Sequence, residues 1–280
     1  MILHLLNGDC AYEAWQKAAL PGNALVWREN YLEGPVPGPE IPLAEFERVR
    51  ATEIHRWIPA LAEERLLAAL SVMDGKLAQL AGDDTLYLWF DCCMFDMTML
   101  ARILYLLSRN PVLPAMFLSC RDYHWDGGPD FFTREINLAR SLSEVEVAAG
   151  ATAWRTLCHR DRAELETLAQ RGDWTFCPSM INALRRFAED LPAAADALGR
   201  TRRQLLESVR QGASTPRAVF RAFSAYEKYP FMGDTSCWRH LDALAEDGYL
   251  VIVDAEGRPA RLGDGTGPLE QLRISVADKD

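Results

Sequence analysis

The feature that most constrains this chain is an alternation in its first 120 residues. Short, mostly apolar runs at 2–6, 24–27, 85–90 and 115–118 are separated by stretches of helical periodicity. Apolar runs this short, bounded by turn residues, read as strands buried on both faces. Helices fit 10–20, 43–56, 60–81 and 96–109. In the third, Leu66, Leu67, Leu70, Met73, Leu77 and Leu80 recur at the helical period, and in the fourth Leu100, Ile103, Leu104 and Leu107 share one face. Strand–helix alternation predicts an α/β domain. Its sheet is open, mostly parallel and Rossmann-like or flavodoxin-like, with right-handed crossovers and helices on both faces. Residues 31–42, YLEGPVPGPEIP, hold four prolines and two glycines and read as a connecting loop.

The second half reads differently. Helices fit 160–171, 178–190, 200–211, 215–226 and 234–247. A strand at 249–253, a turn at 254–257 and a weaker strand at 269–275 follow. Three helices and a ribbon predict a mainly helical domain ending in a winged-helix-like unit. Charge changes at a similar place. Residues 1–154 carry 12 basic and 21 acidic side chains, residues 155–239 carry 14 and 10, and residues 240–280 carry 4 and 9. The expected division is an α/β domain at 1–154 and a helical domain at 155–280.

Of the 280 residues, 49% are hydrophobic and 25% charged, as in ordinary globular proteins, and the net charge is −10. That balance disfavours sequence-independent phosphate binding as the main activity. The seven cysteines form no even framework, so reduced thiols and a cytoplasmic setting are expected. There is no basic, apolar leader and no run long enough for a membrane helix, so no membrane partner is expected. No Cys-x-x-Cys pair, zinc-finger spacing, P-loop or Gly-x-Gly-x-x-Gly run occurs. No metal site is expected, and the sequence names no cofactor.

Parallel sheets bind ligands beyond the carboxyl ends of their strands, near a switch in strand order. Four polar groups fall at these ends: Asn7-Gly8-Asp9-Cys10, Trp27-Arg28-Glu29, Asp91-Cys92-Cys93 with Asp96 beyond, and Ser119-Cys120-Arg121-Asp122. The ligand-binding candidates are Asn7, Gly8, Asp9, Trp27, Arg28, Glu29, Glu33, Gly34, Asp91 and Asp96. Gly8 allows close backbone approach, and a helix N-terminus after it favours anions. Asp9, Asp91 and Asp96 serve equally well as helix caps. Trp27-Arg28-Glu29 reads either as a stacking and anion-pairing group or as a structural Arg–Glu pair over a buried Trp. The loop carrying Glu33 and Gly34 is a lid or an ordered connector. Asp9, Asp91, Cys92 and Cys93 are the catalytic candidates. A thiol at a helix N-terminus is activated by the dipole, whereas a buried one is a small hydrophobe. The nearest bases are His4, within the first strand, and His124, in the loop Tyr123–Gly128.

In the C-terminal part, Arg200, Arg202 and Arg203 suggest phosphate contacts. The helix in recognition position, 234–247, sets Arg239 against Asp234, Asp242, Glu246 and Asp247. An acidic helix suits packing or homodimerisation better than the major groove. The glycine run at 263–267 reads as a turn.

His4-Leu5-Leu6-Asn7-Gly8-Asp9, Trp27-Arg28-Glu29 and Glu33-Gly34-Pro35-Val36-Pro37 resemble the opening of the bacterial family called domain of unknown function 1835. Trp89-Phe90-Asp91 through Asp96 is similar to its middle segment. Pro230-Phe231-Met232-Gly233-Asp234 is similar to the C-terminal part that often accompanies it. Cys92 and Cys93 stand where relatives carry polar residues. The resemblance implies the α/β architecture but no reaction. The expectation is therefore a protein binding a small anionic or nucleotide-like molecule at the strand-end edge, with or without catalysis. The alternatives are a winged-helix nucleic-acid regulator and a structural, self-associating module.

Overall fold

The computed structural model describes residues 1–120, 130–192, 198–228, 231–263 and 267–277. The chain divides into two compact units, Met1–Ala188 and Glu189–Asp280.

In the first unit the four apolar runs are strands: β1 (Ile2–Leu6), β2 (Asn23–Val26), β3 (Thr85–Trp89) and β4 (Ala115–Ser119). They are parallel in the order β2-β1-β3-β4, and a short fifth strand, β5 (Arg140–Ser141), joins β4 antiparallel. The order reverses between β1 and β3, which makes this gap the switch point. Both faces are covered, so the strands are apolar runs rather than alternating ones. On one face Leu6 and Trp89 pack with Ala11 and Ala14 of helix α1 (Asp9–Ala18) and Phe132 of α5 (Asp130–Glu135). On the other, Leu3, Leu5, Leu86, Leu88, Met116 and Leu118 are buried.

Between β2 and β3 lie α2 (Leu43–Trp57) and α3 (Glu63–Ala78), and between β3 and β4 lies α4 (Met94–Leu107). Nearly every side chain of α4 is buried, because it packs on both α3 and α6 (Glu144–His159). Gly150 makes the α4–α6 approach: a Cβ there would overlap the Leu104 side chain. Two further helices, α7 (Arg162–Arg171) and α8 (Ser179–Asp190), follow.

The charge shift near residue 155 is not a structural boundary. It falls inside α6, whose buried Val147, Ala151, Trp154 and Cys158 tie it to the first unit. Three elements escaped the sequence reading, namely α5, β5 and α6. The signal for α6 was present: Ser143 and Glu146 form a reciprocal capping box. The β-branched and small residues behind that cap masked it.

The second unit holds α9 (Arg200–Arg210), α10 (Pro216–Ser224) and α11 (Asp234–Glu246). An antiparallel ribbon of β6 (Leu250–Val253) and β7 (Arg273–Val276) follows. The arginines that open α9 are engaged by the unit's own acceptors. Arg200 pairs with Glu189 and Glu227, Arg202 with Asp247, and Arg203 donates to the Leu198 carbonyl. No helix of the described residues is long and apolar enough to cross a membrane.

Candidate functional site

The strand register sets Leu6 beside Val26 and Trp89, and Trp89 beside Ser119. The residues that follow therefore leave the sheet in one row. Asn7 sits at its centre, next to the switch point. Its Nδ2 donates to Asp96 Oδ2 at 2.5 Å and to Asp91 Oδ2 at 3.4 Å, and the Asp91 backbone N–H donates to the same Asp96 oxygen at 2.6 Å. Asp96 thus closes the turn between β3 and α4 and ties it to β1.

Burial of Asp96 pushes its pKa up to about 8, and the neighbouring Asp91 charge adds to the effect. Burial also raises Asp91, against the Asn7 hydrogen bond. Two carboxyls this close do not both ionise readily, so the pair holds a proton at neutral pH. Asp96, at about 8, is the member that holds it, and Asp91 is half-buried.

Asn7, Ala11, Trp89, Phe90, Asp91, Ser119, Phe131 and Phe132 line a narrow recess whose free space is about 10 Å³, room for a single water. Its polar groups come from the ends of β1, β3 and β4. Its aromatic wall comes from β3 and α5. The residues 121–129, between β4 and α5, lie outside the described residues. Arg121, Asp122 and the Tyr123–Gly128 loop with His124 fall among them.

Gly8 precedes α1 at φ +148°, a conformation that L side chains rarely adopt. It occupies the cap position itself, and no side chain caps the helix. Asp9 is therefore not a cap. It lies in the first helical turn and receives Arg28 through Nε and Nη2 at 2.6–3.1 Å. Both side chains are exposed, and the hydrogen bonds from Arg28 lower the Asp9 pKa.

Several candidates have other work. Trp27 is buried and donates its indole N–H to Tyr31 Oη, so it offers no stacking face. Glu29 pairs not with its neighbour Arg28 but with Arg50 of α2, and both side chains are fully buried. Arg50 engages all five of its N–H donors: two on Glu29, and one each on the carbonyls of Asn30, Glu33 and Pro35. The Glu33 carboxylate accepts from Asn30. Gly34, at φ +68°, packs where a Cβ would strike Glu53 and Trp57. Glu33 and Gly34 thus belong to a fastened connector rather than to the ligand edge.

Two of the strand-end thiols, Cys93 and Cys120, are pushed away from activation. Burial and the Asp96 charge push Cys93 well above the usual thiol range, and Cys92 is buried. Cys120 lies 3.7 Å from Cys177 Sγ, which in turn is 3.5 Å from Met97 Sδ. The hydrogen bond with Cys177 and burial raise the Cys120 pKa. Cys177, far from any strand end in sequence, was not visible as part of this group. His4 serves none of them. One ring nitrogen faces the Pro21 carbonyl and the other accepts from Trp89 Nε1. Burial lowers its pKa against the Pro21 contact. Among the described residues no three His, Cys, Asp or Glu side chains are grouped to hold a metal ion.

No protein-family model matches the chain, and no curated protein is detectably similar to it.

Proposed function

We propose that this protein binds a small anionic, nucleotide-like molecule at the carboxyl edge of its parallel sheet, between the ends of β1 and β3. The observation that carries the reading is the recess at the switch point. It sets Asn7, Asp91 and Ser119 beside Phe131, the half-buried ring of the group, with Trp89 and Phe132 buried behind. A flat ring can lie against Phe131 over the mouth of the recess, and Asp91 accepts from a hydroxyl or amino group. The anion belongs at Gly8, where the backbone is open and the α1 N-terminus is uncapped. Arg28 Nη1 is directed to no acceptor among the described residues and remains for that anion.

Membership of the domain of unknown function 1835 family, a Rossmann-like or flavodoxin-like sheet and a cytoplasmic setting belong to the same proposal. The strand order β2-β1-β3-β4 and the thiols without disulfide partners support it. The C-terminal unit fits a winged-helix-like packing or self-association module better than a nucleic-acid reader. Arg200, Arg202 and Arg203 of α9 are engaged within the unit, and α11 is acidic.

Thermal-shift measurements on the full chain against nucleotides and phosphorylated metabolites test the reading. One ligand class is expected to raise Tm by several degrees, as occupancy far above Kd does. Arg28→Ala weakens that binding at least tenfold. Asp9→Ala releases Arg28 and tightens it. No stabilisation by any member of the panel overturns the proposal.

A further inference from the structure

A second anion-binding place lies at the far end of α4. Pro39, Pro42, Tyr105, Arg109 and Arg155, with Glu40, line an open pocket of about 330 Å³. Volumes of this size accommodate small molecules. Tyr105 is buried, and its hydroxyl donates to the Pro39 carbonyl at 2.6 Å, which fixes the ring.

Three guanidinium groups gather round that ring. Arg102, Arg109 and Arg155 stand 5.7, 5.8 and 5.3 Å from its centroid. Arg102 is buried and bonded to Asp74. Arg109 and Arg155 are exposed, and neither side chain makes a hydrogen bond or ion pair among the described residues. Glu40 shares the pocket without reaching either. Both arginines stand on the same ring and line the same pocket, so an anion there meets two guanidinium groups. Their aromatic support also limits the side-chain freedom that binding would otherwise remove.

We infer that Arg109 and Arg155 form a binding site for a small polyanion, a phosphate- or carboxylate-bearing molecule, separate from the strand-end edge. The two places lie at opposite ends of α4, roughly 20 Å apart at 1.5 Å rise per residue. The inference does not depend on the reading of the Asn7–Asp91 recess.

Isothermal titration of the full chain with pyrophosphate, and separately with citrate, tests it. The titrations are done in an Arg28→Ala background, so that the strand-end edge contributes little. At least one anion is expected to bind saturably. Arg109→Gln with Arg155→Gln should weaken it at least tenfold while leaving circular dichroism and Tm unchanged. The corresponding double Lys variant should retain more affinity than the Gln pair. Which anion binds distinguishes a phosphate ligand from a carboxylate one. No saturable binding of either anion, or equal binding by the Gln pair, overturns the inference.

Discussion

Asn7 and Asp96, 89 residues apart in sequence, are joined by a 2.5 Å hydrogen bond that fastens the end of β1 to the first turn of α4. The bond holds the switch point together and places a buried carboxyl, with its pKa raised to about 8, behind the candidate site. The consequence is a pH dependence of stability. Between about pH 4 and pH 8 folded Asp96 keeps a proton that the unfolded chain releases. Its contribution is therefore full below about pH 4 and is lost as pH rises through about 8. Asp96→Asn copies the protonated form and keeps an oxygen for Asn7 and the Asp91 amide. Urea unfolding at several pH values should show the variant more stable than wild type at pH 8, by a few kcal/mol. Its pH slope should be shallower, with Asp74, raised to about 6, supplying part of what remains. An unchanged slope contradicts the protonated Asp96.

The Glu29–Arg50 pair should behave as a structural fastening rather than as ligand machinery. Breaking a fully buried pair by removing one partner typically costs about 3–5 kcal/mol. Arg50→Ala should lower the unfolding free energy by that amount, read from urea denaturation. Arg50→Lys should rescue little, because a lysine cannot reproduce the five-donor fork.

Gly150 sets the spacing of α6 on α4. Gly150→Ala should destabilise by about 1–3 kcal/mol, as overpacking of a close contact does. Ordinary helix propensity predicts the opposite sign, since alanine is the better helix former by about 1 kcal/mol. Chemical denaturation decides between them.

Cys10 is exposed on the first turn of α1, whereas Cys158, Cys177 and Cys237 are buried. Burial raises the Cys158 and Cys237 thiols further out of the reactive range. Alkylation of the native protein, followed by peptide mapping, should label Cys10 first. Cys10→Ser should abolish the fast phase.

The parallel sheet was legible because strands covered on both faces are apolar runs, and β1 to β4 end within one residue of where those runs end. The helix α6 was hidden by its Val, Thr, Gly and Ala content, although Ser143 and Glu146 marked its start. At the site, the structure brings Asn7, Asp91 and Asp96 together because β1 and β3 end side by side at the switch point and α4 starts directly after β3. It separates Trp27 and Glu29 from Arg28 because successive residues of an extended segment point to opposite sides. Nothing local marks Arg50 as the partner of Glu29. That pairing depends on how α2 is laid across the loop, which only the tertiary packing decides.

The central claim is that a small anionic molecule occupies the edge between β1 and β3. Hydrogen–deuterium exchange of the full chain, with and without a saturating nucleotide from the thermal-shift panel, tests where it sits. Slower exchange is predicted in residues 7–12 and 89–97, with no change in the unit Glu189–Asp280. Protection confined to that second unit, or absent from both strand-end segments, would contradict the account.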